Sequence, residues 1–294
     1  MQNLAIVSQE LSEAAARARS SVVRVQARGS LASTGLAWAP GLVVTTARAL
    51  ESGGGLTVLL DGESVAATRL GVHVASDVGV VRVDAALSPL PWAAPSSLKL
   101  AELVLALARP GEHVRARLGV VSVLGESWWL SGGVEFERYI ESDLAPARGS
   151  SGGPLVRATG ELIGLNNGRL SRGTLLTLPA AGVGRIVDEL VAHGRVRRAH
   201  LGVAIQAVRL PNAVSEAIGR SSGLLVMSVQ PDSHAEQAGV LLGDVLLELG
   251  EATLARVGDL ENALGQAPLG SKLELSLLRG GERRRLMLLA EERR

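Results

Sequence analysis

From Ser21 onward the sequence alternates between short runs of aliphatic residues and turns made of Gly, Pro, Asp and Ser. Such runs predict β-strands, and strands that are short and regularly spaced are typical of a sandwich or a barrel. The predicted strands form two groups: residues 22–25, 36–38, 42–46, 56–60 and 78–83, then residues 103–108, 119–124, 139–142, 154–156, 162–166 and 175–178. The Pro-, Ala- and Ser-rich segment 87–98 connects the groups, so the sequence predicts a mostly β domain in two halves.

Two helices are predicted beside the strands. Residues 5–19 favour a helix because of the alanines at 14–16, with a serine available as the cap. Residues 181–193 carry apolar side chains on one face, and Gly194 is expected to end that helix. The predicted division is an N-terminal helical arm at 1–20, a β domain at 21–193, a linker at 194–198 and a second domain at 199–292.

The composition excludes several kinds of site. The 294 residues suffice for two or three compact units, and a content of 47% hydrophobic and 20% charged residues argues against disorder. The absence of cysteine excludes disulfides and cysteine-ligated metals. A net charge of +1 indicates no nucleic-acid partner. No cofactor and no metal site are expected.

The N-terminus does not have the pattern of a signal peptide. Residues 1–20 have no apolar run after a basic start, because Glu10, Glu13, Arg17 and Arg19 interrupt it. No stretch reaches the ~18 uninterrupted apolar residues of a membrane span. The sequence as written therefore predicts a cytoplasmic protein without a membrane segment, and a periplasmic or extracellular protein if a leader precedes it.

Residues 148–155 read Arg-Gly-Ser-Ser-Gly-Gly-Pro-Leu. Glycines on both sides of the serines allow a tight turn that exposes one hydroxyl and directs N–H groups to one point. Such N–H groups can stabilise an oxyanion while the serine attacks a carbonyl. Composition alone favours an ordinary Gly/Ser loop. A catalytic interpretation therefore depends on the segments around it.

This segment resembles the Gly-Asn/Asp-Ser-Gly-Gly-Pro signature of trypsin-like serine proteases, in the form found in the HtrA (DegP/DegS) family. The resemblance implies a chymotrypsin-like double six-stranded β-barrel. It places Ser151 at the nucleophile position, the N–H groups of Gly149 and Ser151 at the oxyanion hole, and Ala145 at the base of the primary specificity pocket. It also makes residues 176–179 the edge strand that pairs with a substrate backbone.

Two further segments resemble those that carry the family's acid and base. Ser76-Asp77-Val78 places Asp77 at the catalytic acid position. The strand that precedes the base histidine is present at 41–47, but Arg48 follows it. Because a guanidinium stays protonated and cannot act as a base, Arg48 is expected to pair with Asp77 instead. None of the histidines of the chain is expected to replace the base: His73, His113, His193, His200 and His234.

The nucleophile loop departs from the family pattern at three positions. Ala147 and Arg148 stand where Asn-Pro is usual, and Ser150 stands where Asn or Asp is usual. These differences are expected to alter the backbone of the oxyanion hole, with Arg148 adding positive charge near it.

The last hundred residues resemble a bacterial PDZ domain, which is an α+β fold. His200-Leu201-Gly202-Val203 resembles its carboxylate-binding loop, and residues 233–246 resemble its Ser-Pro-Ala-x-x-Ala-Gly-Leu and Gly-Asp-Val-Ile segments. The resemblance implies that Leu201, Gly202 and Val203 bind an extended peptide terminus beside a groove helix at 259–264. Leu201, Val203 and Ile205 are then expected to select an apolar terminus.

Two functions are consistent with these residues. The first is an HtrA-type homologue that binds peptides or unfolded protein through its cleft and PDZ groove, with peptidase activity lost or very weak because of Arg48. The alternative is an active serine endopeptidase of the HtrA family acting in protein quality control. In the family the N-terminal arm often forms a trimer through aromatic residues. No aromatic residue precedes Trp38, which argues against a trimer and leaves another homo-oligomer open.

Overall fold

The computed structural model describes residues 2–51, 54–60, 62–130, 134–171 and 173–292. The chain divides into two compact units. The first consists of the chain up to Trp128 and of Glu135–Val196, and the second mainly of the chain from Arg197 onward. The limits of the arm, the linker and the domains stay predictions.

A closed barrel forms the first half of the first unit. Its strands in the described residues are β1 (Val22–Ala27), β2 (Ser33–Ala39), β3 (Leu42–Thr45), β4 (Leu56–Leu60), β5 (Glu63–His73) and β6 (Val78–Val83). They close in the order β1-β2-β3-β6-β5-β4. Because alternate side chains of a strand point inward, Val23, Val25 and Val43 meet in the core. β5 is not among the predicted strands, since most of its residues are exposed or half-buried.

A second closed barrel follows in the same unit. Its described strands are β7 (Leu103–Ala108), β8 (Arg115–Leu124), β11 (Ile140–Ser142), β12 (Pro154–Arg157), β13 (Leu162–Asn167) and β14 (Leu175–Pro179). They close in the order β11-β14-β13-β12-β7-β8, which confirms the predicted double six-stranded barrel. The short strands β9 (Trp128–Leu130) and β10 (Val134–Phe136) pair with each other and are not among the predicted strands. β14 pairs with both β11 and β13, so the prediction of an edge strand at 176–179 is wrong.

Two helices accompany the barrels. α1 (Gln2–Arg19) buries Ala14 and Ala18 completely. α2 (Ala180–His193) packs its apolar face against strands of both barrels. It ends at Gly194, as predicted, where φ is +72° and the N–H donates to the Leu190 carbonyl at 2.9 Å. No helix in the described ranges is long and apolar enough to cross a membrane.

The second unit is an α+β fold, as predicted. Its described strands are β15 (Val203–Arg209), β16 (Ser222–Val229), β17 (Val245–Leu249), β18 (Ala252–Thr253), β19 (Lys272–Arg279) and β20 (Glu282–Leu289). They form one sheet in the order β15-β16-β17-β19-β20, with β18 paired to β17. The helices are α3 (Asn212–Ile218), α4 (His234–Gln237) and α5 (Val257–Gln266), and Leu260 and Leu264 of α5 enter the core.

Candidate active site

The loop between β11 and β12 carries Ser151 in a conformation that requires glycine on both sides. Gly149 has a φ of +78° and Gly152 a φ of +84°, values that L-residues with a side chain rarely adopt. A Cβ atom at Gly152 would also collide with the Thr34 carbonyl oxygen. The loop is therefore pressed against the first barrel, which leaves space for no side chain at Gly152.

Thr34 of β2 joins the two barrels at this loop. Its buried hydroxyl donates to the Gly149 carbonyl at 2.5 Å and accepts from the Arg109 N–H at 2.8 Å. The Thr34 hydroxyl thus pairs one backbone acceptor and one backbone donor, both in half-buried residues. The sequence around Thr34 gives no signal for this contact, since its partners lie 115 and 75 positions away in the chain.

The Ser150 side chain forms hydrogen bonds within the nucleophile loop. Its buried hydroxyl donates to the Ala147 carbonyl at 2.7 Å and accepts from the Ala147 N–H at 3.1 Å. Serine at position 150 therefore holds the loop against the backbone of Ala147, where the loop begins. In the described part of the chain, the N–H groups of Gly149 and Ser151 donate to no acceptor. The role of these two N–H groups in an oxyanion hole stays a prediction.

The Ser151 hydroxyl is engaged as an acceptor. Its Oγ accepts a hydrogen bond from the Gly168 N–H at 3.0 Å. All five histidines lie within the described ranges, and none of them forms a hydrogen bond with Ser151. His73 ends β5, is buried, and places Nδ1 2.7 Å from the Ser76 Oγ.

Asp77 lies in the turn between β5 and β6 with its carboxyl group buried. Its φ is +52°, which is uncommon for a residue with a side chain. Burial raises the pKa of Asp77 above its ordinary value. The Arg48 N–H, which donates to Oδ1 at 3.1 Å, and the Arg169 guanidinium oppose that rise without cancelling it. Buried carboxyl groups favour the neutral form in this way.

The cation beside Asp77 is Arg169 rather than Arg48. Arg169 Nε lies 3.9 Å from Asp77 Oδ2, and Nη2 donates to the Val74 carbonyl at 3.0 Å. Arg48 lies in a 3₁₀ turn after β3, and only its backbone reaches Asp77, while its side chain is exposed. Among the described residues, the expected ion pair of Arg48 with Asp77 is therefore absent. No sequence signal singled out Arg169, because its proximity depends on the folding of the second barrel.

A cleft of about 670 Å³ brings most of these residues together. Its lining includes Arg48, Asp77, Gly149, Ser151, Gly168 and Arg169. Ala145 does not lie among the cleft residues: it is exposed, and its carbonyl accepts from Arg117 Nη1 at 2.6 Å. The role of Ala145 in a specificity pocket stays a prediction. The described residues contain no group of three acidic or histidine side chains that could hold a metal ion.

Arg169→Ala is expected to raise the pKa of Asp77 further, because it removes a positive charge that favours the carboxylate. Since the folded-state pKa of Asp77 already lies above its unfolded value, the contribution of Asp77 to stability is fully present below the unfolded pKa and is lost as pH rises through the folded pKa. Carbon NMR titration of the carboxyl group measures the shift. Arg148→Ala, in the same cleft, serves as the control, and an equal shift there would contradict a specific effect of Arg169.

The predicted peptide-binding loop of the second unit requires a glycine, as the nucleophile loop does. Gly202 has a φ of +77°, and a Cβ atom there would collide with the Ser233 side chain. In the part of the unit that the structure describes, the N–H groups of Leu201 and Gly202 donate to no acceptor. The Leu201 side chain is buried in the core, whereas Val203 and Ile205 are half-buried. Leu201 therefore contributes its backbone and not its side chain to any groove.

Comparisons with known proteins agree with this arrangement. Residues 33–165 match the family of the trypsin-like peptidase domain, and residues 199–289 match the PDZ domain. A probable periplasmic serine endoprotease, DegP-like, of Marinomonas sp. (strain MWYL1) is 32% identical over 274 residues, which are 90% of this chain and 58% of that protein. The periplasmic serine endoprotease DegP of Escherichia coli (strain K12) is 31% identical over 253 residues, 82% of this chain and 52% of that protein. The chain thus spans about half the length of these curated relatives.

Solved structures share the fold. The HtrA-type protease AlgW with decapeptide superposes with a TM-score of 0.77 at 22% identity, over 97% of this chain and 99% of that one. The serine endoprotease from Yersinia pestis has a TM-score of 0.78 at 23% identity, over 97% of this chain and 98% of that one. The chain therefore contains a trypsin-like peptidase domain followed by a PDZ domain, and it is a homologue of the DegP serine endoproteases.

Proposed function

We propose that the chain is an HtrA-type protein that binds peptides or unfolded protein and has little or no peptidase activity. The observation that carries the proposal is the environment of Ser151, whose Oγ accepts from the Gly168 N–H and has no histidine partner in the described residues. A serine is a weak nucleophile unless a base takes its proton. Loss of the base alone costs about a millionfold in turnover in subtilisin, or roughly 8 kcal/mol of barrier.

Arg48 is the residue that we place at the missing base position. Its backbone N–H occupies Asp77 Oδ1, which supports a close relation of this position to the acid. Its guanidinium cannot accept a proton at any physiological pH. The cleft has a volume of about 670 Å³. In the described residues the N–H groups of Gly149 and Ser151 donate to no acceptor, so the cleft is suited to bind a peptide carbonyl.

A fluorophosphonate probe tests the proposal directly, because it reacts with activated serines. The full-length chain is expected to leave unfolded casein intact and to label far more slowly than a working serine hydrolase. Ser151→Ala is the control for labelling elsewhere. Efficient labelling that disappears in Ser151→Ala would contradict the proposal.

The alternative is an active serine endopeptidase of protein quality control. It is favoured by the ordered nucleophile loop, by the buried Asp77 and by the names of the relatives, which are serine endoproteases. This reading requires a base from outside the described residues or from the substrate. The probe decides between the two functions, since only the alternative expects rapid labelling.

We also propose that the PDZ domain binds apolar peptides with a free C-terminal carboxylate at Leu201, Gly202 and Val203. Gly202→Ala is expected to weaken this binding roughly tenfold or more, equivalent to ~1.4 kcal/mol, because a side chain strains the loop. Titration calorimetry with the free peptide and its amidated twin measures the effect. Gly219→Ala is the matched control, with a φ of +70° and no close neighbours. Equal affinity for the two peptides would argue against carboxylate capture.

A periplasmic location is part of the proposal, because two curated relatives that match this chain are named as periplasmic proteins. Fractionation of cells that produce the full-length protein, with cytoplasmic and periplasmic marker enzymes as controls, tests it. Recovery with the cytoplasmic marker would support the location predicted from the sequence as written.

A further inference from the structure

A second cavity lies beside the nucleophile loop. Its volume is about 390 Å³, it is partly open to solvent, and it is lined by the end of β7, the start of β8 and residues Ala147 and Ser150 of the loop. Small-molecule sites typically occupy about 300–1,000 Å³. The cavity is therefore large enough for a small ligand, and it is distinct from the cleft that contains Asp77 and Ser151.

Among the described residues that line this cavity, none is acidic and three are arginines: Arg115, Arg117 and Arg148. Arg115 and Arg117 are two positions apart on β8, so they lie on the same face of the strand. Arg117 Nη1 is directed to the Ala145 carbonyl. In the described ranges, no carboxylate lies within ion-pair distance of any of the three. By contrast, Arg283 of β20 pairs with Glu248.

The rest of the lining is small and apolar. Ala106, Leu107 and Ala108 come from β7, and Ala116 comes from β8. A bare inorganic anion would leave this apolar surface in contact with water, whereas an uncharged apolar molecule would leave the guanidinium groups without a partner. A carboxylate on a short apolar body matches both the arginines and the apolar lining. Its charged end pairs with guanidinium groups through charge-assisted hydrogen bonds, and its apolar body covers the alanine and leucine side chains.

We propose that this cavity is a binding site for a small amphiphilic carboxylate. Arg148 lines both this cavity and the cleft of Ser151. A carboxylate bound beside Arg115 would attract the Arg148 guanidinium and hold the loop that carries Gly149 and Ser151. Occupation of the cavity would thus reduce the positive charge in the cleft, and the two sites would be coupled in both directions.

Isothermal titration of the full-length chain with octanoate tests the site. Two control probes are used: octanol lacks the negative charge, and inorganic phosphate lacks the apolar body. Octanoate is expected to bind saturably, and more tightly than either probe. Arg115→Ala is expected to weaken octanoate binding roughly tenfold, as the loss of a charge-assisted contact implies. Arg82→Ala removes the same charge from an exposed position on β6 and is expected to have no effect.

Each outcome bears on the proposal. Weakening by Arg115→Ala or Arg148→Ala, with Arg82→Ala unchanged, supports it. Absence of binding, or equal binding of octanol or phosphate, overturns it. Binding that is insensitive to Arg115→Ala but lost in Gly202→Ala would place the octanoate at the PDZ loop and would also overturn it.

Discussion

Replacing Arg48 by histidine is expected to raise the rate of casein cleavage roughly 10²- to 10⁴-fold, the range that general acid–base catalysis contributes. The backbone at this position already donates to Asp77 Oδ1 at 3.1 Å, so a new imidazole starts beside an acid that can orient it. Imidazole is an effective base only when neutral, with an ordinary pKa near ~6.5. Cleavage by Arg48→His should therefore increase as pH rises through that range.

The controls for this variant lie in the same cleft. Arg148→His introduces an imidazole on the nucleophile loop of the same cleft, at a residue that is not among those that shift the pKa of Asp77, and it should gain no activity. Arg48→His combined with Ser151→Ala should be inactive, which excludes a contaminating protease. If Arg48→His cleaves casein no faster than the natural chain, the missing imidazole is not what limits catalysis, and Arg148 or Arg169 becomes the next residue to change.

Asp244→Ala is expected to destabilise the second unit by about 3 kcal/mol, the lower end of the range for breaking a buried ion pair. The Asp244 side chain is 1% exposed and accepts from Arg279 Nε at 2.8 Å and Nη2 at 2.7 Å. Arg279 Nη2 also donates to the Gly239 carbonyl, so the pair fastens the turn before β17. The lower end applies because Arg279 is 26% exposed and can regain water.

Amide hydrogen exchange in β16 and β17 measures this loss of stability, since both strands belong to the core of the unit. Glu282→Ala is the matched control, because its ion pair with Arg284 is on the surface and worth little. The Asp244→Leu/Arg279→Met double variant should be more stable than Asp244→Ala, since it leaves no unpaired cation. Unchanged protection in Asp244→Ala would show that the pair does not stabilise the sheet.

The same pair predicts a dependence on pH. Burial alone would raise the pKa of Asp244, but the Arg279 hydrogen bonds and the Leu241 N–H lower it below its ordinary value. A carboxyl group whose pKa is lower in the folded state stabilises the fold above its unfolded pKa. That contribution is lost as pH falls from the ordinary value through the folded one.

The sequence was informative wherever a local pattern carries the structure. Short aliphatic runs between turn residues predicted most strands of both barrels, and Gly194 predicted the end of α2. β5 escaped prediction because its side chains are mostly exposed and show no clean alternation. The supposed edge strand at 176–179 was wrong because pairing on the second side comes from β11, more than thirty positions earlier.

The residues around Ser151 also fall into two groups, those predicted from a local sequence pattern and those that only the fold brings together. Ser151, Asp77 and Arg48 were predicted from the sequence because each belongs to a short segment that resembles a family motif, and all three line the same cleft. Thr34, Gly168 and Arg169 could not, because a threonine, glycine or arginine acquires a role here only from what barrel closure brings beside it. The amino-acid sequence determined that position 48, shortly after β3, is occupied by arginine and not by histidine. Only the tertiary structure decided that the guanidinium within ion-pair distance of Asp77 is that of Arg169 and not that of Arg48, because that contact depends on how the two barrels face each other.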